Sequence, residues 1–116
     1  MGFPVTRFEL TALDPKAARA FYSELFDWKC ISQGRAGVTL LRTGDGIDGS
    51  IILAEDGMPT FVTIYVEVGD VEVSLARAEQ LGGTIYVPAG PSTIDGEGCM
   101  GLFGDPEGNL VGVIQR

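Results

Sequence analysis

Two short stretches of this chain place a polar side chain at every second residue of a run rich in β-branched and apolar residues. Arg7, Glu9 and Thr11 do so in VTRFELTAL, and Thr63, Tyr65 and Glu67 in FVTIYVEV. Residues two apart in a β-strand share a face, so each trio would line one surface. Their possible chemistry is narrow. Glu9 and Glu67 could act as general acid or base, one with a raised pKa if both carboxylates shared a site, or they could hold a hard cation. Tyr65 could donate a proton, and Arg7 is a permanent cation. Each residue also has a plainer reading: Arg7 and Glu9 as cross-strand charge partners, Tyr65 as an aromatic filler, the two glutamates as solvated carboxylates.

What is missing bounds this chemistry further. The 116 residues include no histidine. That removes the commonest metal ligand, the usual general base and every Ser–His or Cys–His nucleophile pair. The two cysteines, Cys30 and Cys99, stand far apart without a CxxC pattern, and are expected as reduced thiols in a cytoplasmic protein. Cys99 has no neighbouring His or Lys in sequence to activate it.

The elements that must position these residues follow from local signals. VTRFELTAL and FVTIYVEV read as strands. After the first, Asp14-Pro15 supplies an N-cap and a first-turn proline for the helix KAARAFYSELFDW. Ala17, Phe21 and Leu25, flanked by Ala18, Tyr22 and Phe26, predict one broad apolar face. After the second, Asp70 caps VEVSLARAEQL, and Gly82-Gly83 ends it. Strand-rich segments follow each helix: WKCIS, GVTLLRTG and GSIILAE, then GTIYVPAG, GCMGLFGD and GNLVGVIQ.

Asp14 and Asp70 lie 56 residues apart, and that offset sets Arg7 against Thr63, Glu9 against Tyr65 and Leu25 against Leu81. The chain is therefore expected to be one domain, residues 1–116, made of two strand–helix–strand–strand–strand modules at residues 1–56 and 57–116. The predicted class is α+β: tandem βαβββ modules forming a cleft-shaped, eight-stranded mixed sheet with outer helices. One feature resists a purely structural reading. Gly112 sits inside the strand LVGVIQ, where a glycine weakens pairing and packs nothing.

On the stretches DPKAARAFYSELFDW, VGDVEVSLARAEQLGG and DPEGNLVGVIQ, the sequence resembles the vicinal-oxygen-chelate superfamily of glyoxalase I, bleomycin-resistance proteins and extradiol dioxygenases. The resemblance spans nearly the whole chain and implies a homodimer. It also implies a divalent-metal site with ligands from the first and last strand of each module. Those positions fall on Arg7, on the region Gly49–Ile51, on Thr63 and on Gly112. None offers the deprotonated N or O donors such metals require, and an arginine would repel a cation. The expectation is no metal and no cofactor.

The resemblance and the residues together imply a small-molecule binding protein, with Arg7, Glu9, Thr63, Tyr65, Glu67 and Gly112 around the ligand. Sequestration or carriage of an apolar or cationic molecule, as by bleomycin-resistance proteins, would suit the net charge of −8. A metal-free isomerase, epimerase or lyase using Glu9, Tyr65 or Glu67 is the alternative; a non-catalytic interaction module is another. The negative charge, with scattered basic residues, argues against nucleic acid and anionic membranes. No apolar run reaches the roughly eighteen residues that span a bilayer. MGFPVT fits the loose myristoylation pattern at Gly2 without a polybasic second anchor, and is read as the lead-in to a strand. The glycine-rich segment Gly90–Gly101 is expected to be a flap over the ligand.

Overall fold

A computed structural model describes residues 2–31, 37–92 and 98–115. Eight strands and two helices follow in the order β1 (Val5–Ala12), α1 (Pro15–Phe26), β2 (Lys29–Ile31), β3 (Val38–Arg42), β4 (Asp48–Leu53), β5 (Val62–Glu67), α2 (Val71–Gln80), β6 (Thr84–Pro91), β7 (Cys99–Gly104) and β8 (Leu110–Gln115). This is the α+β class and the doubled βαβββ order expected. Contacts group residues 7–62 into one compact unit, and residues 63–116 with the lead-in up to Thr6 into another. The lead-in is tied to the second unit by the Glu67 N–H, which donates to the Pro4 carbonyl at 2.9 Å.

The first unit orders its strands β2-β3-β4-β1, and the second β5-β8-β7-β6. In each, the first and last strands of the module run parallel: β1 with β4, and β5 with β8. The remaining pairs are antiparallel. A crossover helix is what lets the chain return for a parallel pairing, and each helix starts on a designed cap. Asp14 Oδ1 accepts from the Ala17 N–H at 3.1 Å, with Pro15 in the first turn. Asp70 Oδ1 accepts from the Val73 N–H at 3.0 Å. Gly82, at φ +101°, takes the left-handed step beyond α2, a conformation open to glycine without a Cβ penalty.

Each helix covers one face of its own strands. In the first unit Ala12, Leu41 and Ile51 form the buried centre, with Phe8, Leu10, Ala18, Tyr22, Trp28 and Cys30 around it. In the second, Val68, Val71, Leu75 and Val113 play that part, joined by Val66, Ile85 and Phe103. Burying a side chain such as Leu41 or Val71 contributes roughly 1.5–3 kcal/mol. The broad apolar face expected of α1 divides. Ala18 and Tyr22 meet the core, whereas Phe21 and Leu25 stand 59% and 57% exposed.

Cys30 and Cys99 are free thiols, both half-buried. No helix among the described residues is long and apolar enough to cross a membrane. Of the expected flap, Gly90 and Pro91 belong to β6, Cys99–Gly101 belong to β7, and residues 93–97 lie outside the described residues. Its ends are strand because they pair with each other: Pro91 stands opposite Cys99, and Gly90 opposite Met100.

Candidate functional site

On β1 the residues alternate as predicted. Phe8, Leu10 and Ala12 turn toward α1, leaving Arg7, Glu9 and Thr11 on the opposite face. All three are buried, at 8%, 4% and 9% exposure. Charged groups are almost never this buried without partners, and the partners come from the parallel neighbour β4. Glu9 stands opposite Ser50, whose Oγ donates to Glu9 Oε2 at 3.2 Å. Arg7 Nη2 donates to the Gly49 carbonyl at 3.1 Å. Thr11 has a separate task. Its Oγ1 accepts from the Phe61 N–H at 2.6 Å and donates to the Phe61 carbonyl at 3.2 Å, latching the segment before β5.

Register also resolves the position left open within Gly49–Ile51. Ser50, fully buried, shares the face of Arg7 and Glu9. Gly49 instead lies opposite Phe8 on the helix side, where a Cβ would come within 2.7 Å of the Phe8 ring. Ser50 thus joins Arg7 and Glu9 on the candidate face, which spacing alone did not single out. The alternation within GSIIL offered a hint, but only strand pairing says which parity faces Glu9.

On β5, Thr63, Tyr65 and Glu67 share the face turned away from α2, and Gly112 and Ile114 of β8 stand opposite Tyr65 and Glu67. Thr63 and Tyr65 are buried at 1% and 0% exposure, while Glu67 is half-buried. Thr63 Oγ1 finds no hydrogen-bond partner among the described residues. Gly112 is not an open gap. A Cβ there would overlap Cε1 and Cδ1 of Tyr65 and lie 2.9 Å from Cζ. The aromatic ring already fills the space a side chain at 112 would need.

These observations bear directly on the metal that the resemblance implies. The positions it points to are Arg7, the segment Gly49–Ile51, in which Ser50 shares the Arg7 face, Thr63 and Gly112. Arg7 brings a buried positive charge, Ser50 is engaged with Glu9, Thr63 offers a neutral hydroxyl, and Gly112 offers nothing. Among the described residues no group of three or more His, Cys, Asp or Glu could hold a metal ion. The donor set does not fit a divalent metal.

Two cavities lie on the helix sides of the units. One of about 530 Å³ opens between α2 and the strands of the second unit. The other, about 360 Å³, lies beside α1 in the first. Neither is lined by Arg7, Glu9, Thr63, Tyr65, Glu67 or Gly112. At the rim of the larger, Asp105 holds the DPEGN turn. Its Oδ1 accepts from the N–H groups of Glu107 and Asn109 at 2.9 and 2.8 Å, and its Oδ2 from Asn109 Nδ2 at 3.0 Å. The Asn109 side-chain bond, then the Asn109 backbone bond, hold this carboxyl below its ordinary value.

The family model described as Glyoxalase/Bleomycin resistance protein/Dioxygenase superfamily matches residues 5–113. The chain is 31% identical over 115 residues to CFP32 of Mycobacterium bovis, provisionally named a glyoxylase, and equally to its Mycobacterium tuberculosis counterpart. The match covers 92% of this chain but 43% of that protein, so the chain spans less than half the length of these relatives. Among solved structures, methylmalonyl-CoA epimerase from Mycobacterium tuberculosis superposes with a TM-score of 0.72 at 14% identity, covering 97% of this chain and 87% of that one. A glyoxalase/bleomycin resistance protein/dioxygenase superfamily member from Vibrio splendidus 12B01 gives 0.69 at 19% identity, covering 99% and 100%. At such identities the structural likeness speaks to fold alone.

Proposed function

Since this chain belongs to the glyoxalase/bleomycin resistance protein/dioxygenase superfamily, we propose that it is a metal-independent member that binds a small apolar or cationic molecule. Sequestration or carriage, by a cytoplasmic homodimer, is the role this reading assigns. The observation that carries it is the Tyr65 ring seated on Gly112. A ligand-bearing side chain at 112 could not coexist with that ring, and Arg7 sets a buried cation where another metal donor would stand. What remains on the face of the first unit is a buried polar row, Arg7, Glu9 and Ser50, of the kind that orients a ligand between apolar walls. The net charge of −8 raises the local concentration of cationic ligands.

A second reading rests on one specific feature, the buried Glu9 carboxylate held by Ser50. Such a group suits metal-free proton transfer of the isomerase or epimerase type, and fold relatives include an epimerase. In this reading Glu9 takes a proton from a substrate carbon, and Ser50 orients the carboxylate.

The deciding experiment pairs elemental analysis of the purified protein with a thermal-shift screen of aromatic and cationic small molecules. The binding reading expects less than a stoichiometric amount of transition metal and a raised melting temperature with a subset of ligands. One equivalent of tightly held metal would overturn metal independence. If turnover is detected, Glu9→Gln separates the readings: loss of turnover with ligand binding retained supports the enzyme.

A further inference from the structure

The internal repeat allows one module to be compared with the other. At the offset of 56 residues set by Asp14 and Asp70, Tyr22, Phe26 and Trp28 correspond to Ala78, Gly82 and Thr84. In the first unit Tyr22 and Trp28 pack against the core beneath the helix, and Phe26, more exposed, lies against Trp28. The Tyr22 and Trp28 rings stack with centroids 5.5 Å apart, and Phe26 and Trp28 lie 5.0 Å apart. The second unit has small residues at all three places.

The two cavities lie at equivalent positions. Leu10, Ala12, Ala18 and Tyr22 line the smaller, and Val66, Val68, Ser74 and Ala78 line the larger. The volume rises from about 360 to about 530 Å³, as expected where Ala78 replaces a tyrosine ring. That is within the range that holds small ligands. The walls are apolar, from Val66, Val113, Phe103 and Leu81. At the mouth, Arg77 occupies the position held in the first unit by Phe21. Its only side-chain hydrogen-bond partner among the described residues is Gln80, at 3.3 Å. The nearby acid, Asp105, has both oxygens engaged by its own turn.

We propose that this helix-side cavity is a binding site for an anionic amphiphile, with an apolar chain against Val66, Val113 and Phe103 and an acidic head on Arg77. It lies on the α2 side of the second unit, the reverse face from Tyr65 and Gly112, and stands independently of the metal question. The overall negative charge opposes an anion at long range, so head-group recognition must come from contact with Arg77.

The test uses the full chain with three probes kept below their aggregation limits: decanoate, decanol and decyltrimethylammonium. Decanoate is expected to raise the melting temperature and to move the methyl NMR signals of Val66, Leu81 and Val113, leaving Leu41 and Ile51 in place. Decanol should bind about three- to fivefold more weakly, the scale of an exposed ion pair, and the cationic probe more weakly still. Ala78→Leu should abolish the shift by filling the cavity, and Arg77→Gln should bring decanoate to the level of decanol.

Equal response to decanoate and the cationic probe would overturn the proposal, as would signals moving in the first unit or unchanged binding by folded Ala78→Leu. Should that variant not fold, the surface substitution Arg77→Gln and the wild-type methyl map decide alone. Sedimentation covers the rival occupant. An unchanged mass on adding decanoate supports a ligand site, whereas dissociation of a dimer would assign the groove to a second copy of the chain.

Discussion

The ring of Tyr65 lies across the Cα of Gly112, its register partner on the parallel strand β8. The first unit repeats the arrangement on its other face, where Phe8 lies over Gly49, its own partner on β4. A glycine opposite an aromatic lets the large ring lie down on the backbone and cover it. In both units the glycine is occupied space, and its missing side chain is a condition of packing.

Gly112→Ala is therefore expected to destabilise the protein by about 1–3 kcal/mol, through overpacking against a fully buried ring. Tyr65→Ala should cost about 3–5 kcal/mol. In the double variant the two losses should fall well short of adding, since the alanine methyl no longer meets a ring. Urea unfolding of the four proteins measures this; strict additivity would mean that ring and glycine are not coupled.

Two buried hydroxyls should behave oppositely. Ser50→Ala removes a donor from the buried Glu9 carboxylate and is expected to cost about 1–3 kcal/mol. Thr63→Val removes an oxygen that has no partner among the described residues, and should be neutral or stabilising. Equal destabilisation in parallel denaturation curves would refute the assignment of Thr63.

Metal removal should be without effect. Dialysis against EDTA is expected to leave the melting temperature unchanged, and added Zn²⁺, Ni²⁺ or Mn²⁺ to give no stoichiometric heat in calorimetry. The reason is the donor set at Arg7, Ser50, Thr63 and Gly112.

The DPEGN turn is held by the carboxylate of Asp105. This carboxyl is held below the ordinary value of 3.8 in the folded chain, chiefly by Asn109. Its stabilising contribution is thus fully present above that value and is lost as pH falls through the lowered folded value. Asp105→Ala should be less stable than the wild type at neutral pH. The gap should narrow in acid, below pH 3.8, and a gap constant with pH would count against this role.

Legibility from sequence depended on range. The caps at Asp14 and Asp70, the helix end at Gly82 and the DPEGN turn are short-range hydrogen-bonding problems, readable from neighbours a few residues apart. The doubled element order and the shared faces of Arg7, Glu9 and Thr11, and of Thr63, Tyr65 and Glu67, follow from the two-residue period of a strand. Residue types at three of the metal positions, Arg7, Thr63 and Gly112, were equally plain from the sequence, because no packing can turn Gly112 or Arg7 into a metal donor.

Strand register between residues some 40 positions apart was not readable, and it decided the rest. Pairing across β1 and β4 selected Ser50 over Gly49 as the neighbour of Glu9, and pairing across β5 and β8 laid Tyr65 on Gly112. The split of the α1 face into half-buried Tyr22, packed on the core, and exposed Phe21 likewise depended on where the sheet lay. A glycine in a sequence marks only an absent side chain. Whether that absence is a pocket or a seat depends on which distant residue the backbone brings opposite, and that is set by tertiary packing.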